Sequence, residues 1–298
     1  MTATFADMED VSLPVPGGLV NVWHRAATAG SGTVALVHGL SGNSRWWAKV
    51  IDHLRRDFGV VALDIRGRAG SADAPPPYDL TTISDDIARA LDHFDIERAT
   101  VAGYSMGGWV AALFGISHRE RAERIVLVDG GFPLPRAPGA DLEETIETIV
   151  GPSLRRLESA FDDEESYFEL WKSHPAFERH WDDSMKPALG YELERRGDGV
   201  EVRANAEAIR VGATEIIAGA EANEAGALLE VPSHLIVVER GTMDQPGGMI
   251  PLETAETAAA ANPHLSMEYL PDVNHYTLLL GKGAASVASA IEGKLVGR

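Results

Sequence analysis

Three side chains in this sequence have the types that acyl-transfer chemistry requires. Ser105 lies in Gly103-Tyr104-Ser105-Met106-Gly107-Gly108, Asp244 ends Gly241-Thr242-Met243-Asp244, and His275 follows Asn274. A serine hydroxyl is a poor nucleophile until a base takes its proton. That base must titrate near neutrality, which points to histidine. The imidazole needs a carboxylate to set its tautomer and stabilise its charged form. His275 sits between the last predicted strand and the final helix, where its loop can lean over the sheet toward Ser105. The remaining candidates, His24, His53, His93, His118, His174, His180, His234 and His264, fall in helices, in an inserted segment or at strand starts. Asp244, in the loop after the penultimate strand, is the expected acid. Asp129, which ends the strand after the serine, is the alternative; otherwise it is a hinge residue.

The elements that must hold these groups are legible around them. Ala99-Thr100-Val101-Ala102 reads as a buried strand, and Trp109-Val110-Ala111-Ala112-Leu113-Phe114 as a helix with an apolar face. A strand that turns abruptly into a helix at a serine is a nucleophile elbow. Side chains at 103 or 107 would collide with their neighbours in so sharp a turn, and glycine has none. The hydroxyl then stands at the positive end of the following helix. The pattern G-x-S-x-G also arises by chance in a chain with 30 glycines; the strand before and the helix after argue against chance here.

A second glycine turn, His38-Gly39-Leu40-Ser41-Gly42, follows the apolar strand Thr33–Val37. Such a turn points backbone N–H groups outward, where they can hold a developing oxyanion. The Leu40 and Met106 N–H groups are the expected donors. His38 reads as a structural histidine that bonds a nearby loop below the site. Asp64 and Arg66, after the strand Gly59–Leu63, read as a loop-fixing ion pair.

Elsewhere, Val11–Val15 and Leu19–His24 flank Pro16-Gly17-Gly18 as a hairpin. Asn43–Asp57, Leu80–Phe94, Leu252–Ala261 and Thr277–Leu295 read as helices, and Ile125–Val128, His234–Val238 and Leu265–Leu270 as strands. Trp46 and Trp47 could touch a ligand, with packing on the sheet the expected use of at least one. Strands alternating with helices call for a parallel sheet wrapped on both faces. Chemistry in such sheets sits at the carboxyl ends of the strands, and His38, Ser105, Asp129, Asp244 and His275 all fall there. From 131 to 230 the rhythm changes. Pro133, Pro135 and Pro138 mark the start of this segment, and its 22 acidic and 10 basic residues carry −12 of the net charge. It reads as a helical cap folded over the site, between core portions 1–130 and 231–298. Asp162-Asp163-Glu164-Glu165 reads as a solvated helix start, where acids favour the dipole, since nothing in its spacing suits a metal.

Composition limits the function. The 298 residues are 45% hydrophobic, enough for a substantial core, and none is cysteine. Disulfides and thiolate metal sites are excluded. Neither a signal peptide nor a membrane-spanning run is visible, so a cytoplasmic protein is expected. A net charge of −19 disfavours nucleic acid, anionic membranes and polyanionic substrates. The expected partner is a small molecule, and a homodimer is left open.

His38-Gly39, Asp64-Ile65-Arg66-Gly67, Gly103-Tyr104-Ser105-Met106-Gly107-Gly108, Gly241-Thr242-Met243-Asp244 and Asn274-His275 together make the sequence resemble the α/β-hydrolase superfamily over nearly its whole length. The resemblance implies an α/β-hydrolase fold: a mostly parallel eight-stranded sheet, helices on both faces, a helical cap after the sixth strand, and no cofactor. Ser-Met-Gly-Gly is common in microbial esterases, lactonases and meta-cleavage-product C–C hydrolases. Two features depart from the family's pattern: Asn274-His275 replaces the usual Gly-His, and Gly-Arg-Ala-Gly-Ser after Arg66 replaces the frequent Gly-His-Gly-x-Ser. The expected activity is hydrolysis of a carboxylic ester or lactone of a small uncharged substrate. C–C bond hydrolysis and a non-catalytic receptor on the same scaffold are the alternatives. A serine at the elbow argues against haloalkane dehalogenases and epoxide hydrolases, whose relatives carry aspartate there.

Overall fold

Continuous, largely apolar strands are covered on both faces, and three strands of this chain meet that description. Thr33–Val37, Gly59–Leu63 and Ala99–Tyr104 are buried at every residue. The computed structural model describes residues 3–135, 139 and 141–294; Pro138 and Leu295, named above, lie outside them. In chain order the strands are β1 Glu9–Val15, β2 Gly18–Arg25, β3 Thr33–Val37, β4 Gly59–Leu63, β5 Ala99–Tyr104, β6 Ala122–Val128, β7 Ala160–Phe161, β8 Leu193–Arg196, β9 Gly199–Val202, β10 Ser233–Arg240 and β11 Leu265–Asn274. Eight of them form one sheet in the order β1-β2-β4-β3-β5-β6-β10-β11. β1 and β2 join it antiparallel, and all pairings from β4 to β11 are parallel.

Alternation along each strand feeds two separate cores. Ala35 and Val37 of β3 face one cluster with Trp109, Val110 and Leu113 of the helix Met106–Ser117 and with Ile83, Ile87 and Leu91 of the helix Leu80–His93. Val34 and Leu36 face the other, with Trp47, Val50 and Ile51 and the C-terminal residues Leu278, Val287 and Ile291. Fully burying one such aliphatic side chain contributes roughly 1.5–3 kcal/mol, so the strands are held from both sides while their carboxyl ends stay free for loops.

Two expected helices are shorter or broken. The first turn of Asn43–Asp57 is a 3₁₀ turn at Ser44–Trp47, and the α-helix runs only from Ala48 to His53. The final helix divides into Thr277–Leu280 and Ala284–Ile291. An added Cβ at Gly283 would lie 2.8 Å from the Leu278 Cα, which shows how closely the chain folds back there.

The segment between β6 and β10 holds the helices Leu142–Leu157, Glu164–Lys172, Lys186–Leu189, Ala206–Ala218 and Ala220–Ala225. It is not wholly helical as expected: β7, β9 and β8 form a small antiparallel sheet in that order. β8 shows no apolar run because it is partly or fully exposed at every position. The turn between β8 and β9, Gly197-Asp198, was the available signal. Asp163 accepts a hydrogen bond from the Ser166 N–H at 2.8 Å and caps the helix Glu164–Lys172, so the acidic run at 162–165 is a helix start. Among the described residues no cluster of His, Asp and Glu could hold a metal, and no helix is long and apolar enough to cross a membrane.

Candidate active site

The elbow forms because three backbones approach more closely than any side chain would allow. β5 ends at Tyr104, Ser105 adopts φ 53° and ψ −125°, and the helix Met106–Ser117 begins at the next residue. A Cβ on Gly103 would lie 1.8 Å from the Gly107 carbonyl oxygen, and one on Gly107 would lie 2.2 Å from the Val37 oxygen. Positive φ at a residue other than glycine costs roughly 1–3 kcal/mol, and the packing around Ser105 bears that strain. Gly39 lies across the serine, where an added Cβ would stand 3.1 Å from the Ser105 Cβ. Leu40, the next residue, lines the same cavity as Ser105. Among the described residues, neither the Leu40 nor the Met106 N–H donates to a protein acceptor.

The imidazole of His275 is bonded to Asp129, not to Asp244. His275 Nδ1 lies 2.7 Å from Asp129 Oδ2, and both side chains are buried. Sheet register sets Asp129 beside the serine. Tyr104 of β5 stands beside Val128 of β6, so Ser105 and Asp129 are the next residues on neighbouring strands. Asp129 turns there at φ 46°. Gly130 then packs on the elbow, its added Cβ falling 2.1 Å from the Ser105 backbone carbonyl oxygen. The Tyr104 ring stacks on the His275 ring at 4.8 Å, and its hydroxyl donates to the His275 carbonyl at 2.9 Å.

Asp244, expected as the acid, is occupied elsewhere. Arg240 Nε donates to Oδ1 at 2.9 Å, Asn274 Nδ2 to the same oxygen at 3.1 Å, and Arg179 Nη2 to Oδ2 at 2.9 Å. Burial alone would raise its pKa, but these donors outweigh it and hold the carboxyl at about 2. Asp244 therefore fixes the residue before His275. Asn274 Nδ2 also donates to the Ala176 carbonyl in the inserted segment at 2.9 Å.

Two further expectations concern loops beneath the site. His38 accepts the Ile65 N–H on Nε2 at 3.1 Å, which leaves Nδ1 protonated to donate to the Gly39 carbonyl at 2.8 Å. Burial lowers its pKa to about 3, so it stays neutral. Asp64 and Arg66 do not pair with each other. Arg66 is bidentate to Asp86, at 2.6 and 3.0 Å. Asp64 instead accepts from the Ser44 N–H at 2.8 Å and the Tyr191 hydroxyl at 2.8 Å. The loop is fixed, but by partners far along the chain.

Ser105 and His275 open into one cavity of about 90 Å³. Leu40, Trp46, Tyr104, Thr242, Met249 and Tyr276 line it from the sheet side, and Ile149, Ser153 and Ile216 from the inserted segment. Trp47, by contrast, is wholly buried in the core. Among the described residues, His275 is the one titratable group in the lining besides two tyrosines, and none of the lining residues is Asp, Glu, Lys or Arg. The Ser105 hydroxyl lies 3.9 Å from the Met249 sulfur, and no hydrogen bond joins it to the imidazole. Sequence reasoning missed Met249, Ser153, Ile149 and Ile216, which lie in loops or helices without a motif.

Comparison with known proteins agrees with this fold. A protein of Caulobacter sp. (strain K31) named for carbamate hydrolysis, RutD, is 32% identical over 114 residues, 38% of this chain and 42% of that one. The soluble epoxide hydrolase of Corynebacterium sp. (strain C12) is 32% identical over 120 residues, 37% of this chain and 42% of that one. The chain thus spans less than half the length of these curated relatives. Among solved structures, E-2-(acetamidomethylene)succinate hydrolase superposes with a TM-score of 0.77 at 15% identity, covering 95% of this chain and 97% of that one; this likeness is one of fold. The model of the alpha/beta hydrolase fold matches residues 32–196, more than half of the chain, and the protein belongs to the α/β-hydrolase family.

Proposed function

We propose that this protein is a serine hydrolase that cleaves a carboxylic ester or lactone with a small, uncharged acyl portion. The observation that carries the reading is the buried Asp129–His275 pair beside an elbow serine with two unpaired amides close by. Asp129 accepts from Nδ1, so Nε2 carries the lone pair that can take the Ser105 proton. The Ser105 oxygen attacks the carbonyl carbon, and the carbonyl π electrons move to oxygen. The Leu40 and Met106 amides stabilise that oxyanion. As the oxyanion collapses, His275 gives its proton to the departing alkoxide, leaving an acyl-serine. Water, deprotonated by the same imidazole, then attacks the acyl-serine, and the Ser105 oxygen leaves with the proton. Rotation of the hydroxyl toward the imidazole is required first; such hydrogen bonds often form only when substrate is bound.

The neutral lining supports an uncharged acyl group. It also favours ester over C–C cleavage, because none of the described lining residues is a cation that could hold a dienoate carboxylate. The relative named for carbamate hydrolysis adds support for chemistry at a carbonyl. Ser105→Ala is expected to abolish turnover of p-nitrophenyl acetate and labelling by a fluorophosphonate. Retention of most activity in that variant would refute the reading.

A further inference from the structure

Arg68 is a buried cation with no anion. It is 1% exposed, and among the described residues no carboxylate lies within ion-pairing distance of it. Its hydrogen bonds go to neutral carbonyls: Nε to Leu40 at 2.9 Å, Nη1 to Arg66 at 2.7 Å and Nη2 to Ala208 at 3.0 Å. Nη2 also lies 3.9 Å from the Met106 sulfur. Burial pushes its pKa down to about 9, so it remains protonated at neutral pH. Burying a lone charge is costly, and the nearby Arg66 avoids that cost by pairing with Asp86. Arg68 does not, and two of the four residues it touches are Leu40 and Met106. Gly212, in the helix Ala206–Ala218, packs on the same three residues. An added Cβ there would lie 2.7 Å from the Met106 sulfur, 3.1 Å from Leu40 Cδ1 and 3.2 Å from Arg68 Nη2.

We propose that Arg68 is a positioning residue for the oxyanion hole. Its guanidinium anchors the Leu40 loop, touches Met106, and leaves an uncompensated positive charge next to the residues that receive the developing negative charge. The proposal rests on the hydrolase reading above and on Leu40 and Met106 as the amide donors. A field of this kind favours the tetrahedral state over the bound ester, so it acts on kcat and not on KM.

The test compares Arg68→Gln and Arg68→Lys in the full chain, with p-nitrophenyl acetate turnover and with inhibition by an alkyl boronic acid, whose serine adduct is tetrahedral and anionic. Arg68→Gln is expected to lower kcat by roughly 10- to 100-fold, less than loss of a direct oxyanion donor, with KM within about threefold. Boronate affinity should fall by a similar factor. Arg68→Lys, which restores the charge, should recover most of the lost kcat. Unchanged kcat in Arg68→Gln, equal losses in the two variants, or unchanged boronate affinity would overturn the proposal. So would failure of both variants to fold by circular dichroism, which would make Arg68 a fold determinant. Each of those results comes with an active, fluorophosphonate-labelled wild type; an inactive, unlabelled wild type would instead overturn the hydrolase reading itself.

Discussion

Replacing Asp129 by asparagine changes almost no volume but reverses one hydrogen bond. Asp129 Oδ2 accepts from His275 Nδ1 at 2.7 Å. An asparagine amide can present an N–H to the same nitrogen, which would place the imidazole proton on Nε2 and leave no lone pair for Ser105. The imidazolium formed during attack would also lose its buried counter-charge. Where a triad aspartate was changed to asparagine in a serine protease, kcat fell about 10⁴-fold. The Asp129 side chain is fully buried, so a loss of about 10³- to 10⁴-fold in kcat, or ~4–5.5 kcal/mol of transition-state stabilisation, is expected here. KM should change little. Asp244→Asn is the internal control, because that carboxylate bonds Arg240, Arg179 and Asn274 and not the imidazole; its kcat should stay within about tenfold of wild type. Steady-state kinetics with p-nitrophenyl acetate would decide. An inactive Asp244→Asn beside an active Asp129→Asn would refute the assignment.

Gly107→Ala should leave no stably folded protein, or cost more than about 4 kcal/mol in urea denaturation, because its Cβ would meet the Val37 backbone oxygen at 2.2 Å. Asp244 has a folded pKa of about 2 against an ordinary 3.8. Its depressed value means that the stabilisation is complete above pH ~5 and is lost as pH falls toward 2, by at most about 2.5 kcal/mol. Acid unfolding of Asp244→Asn should lack that part of the pH dependence. A cavity of about 90 Å³ beside Ser105 should favour acetyl and butyryl esters over octanoyl esters by at least about tenfold in kcat/KM, which a p-nitrophenyl ester series would measure.

The parallel strands and the elbow were legible because both rest on local patterning: apolar runs for β3, β4 and β5, and glycines flanking Ser105. The acid was harder. Asp129 directly follows β6 and Asp244 lies in the loop after the neighbouring β10, and nothing in their neighbours says which faces the imidazole. Register between β5 and β6 decides it, together with three donors that occupy Asp244, and both are long-range facts. The Asp64–Arg66 pairing failed for the same reason, since Asp86 and Tyr191 are distant in sequence. The strand β8 was missed because its charged, largely exposed positions carry no hydrophobic period, and β9 because its alternation, with Val200 and Val202 buried, spans only four residues. The residues lining the cavity from the inserted segment were illegible because their roles come from how that segment settles on the sheet.

The amide of Asn274 bonds the Ala176 carbonyl and Asp244 at once, one peptide away from the histidine. A change in the inserted segment near 176 therefore alters the aim of the imidazole as well as the shape of the pocket. Grafting a foreign segment to change substrate preference would detune proton transfer unless a carbonyl were supplied at that spot. Selectivity and rate in this chain are thus inherited together.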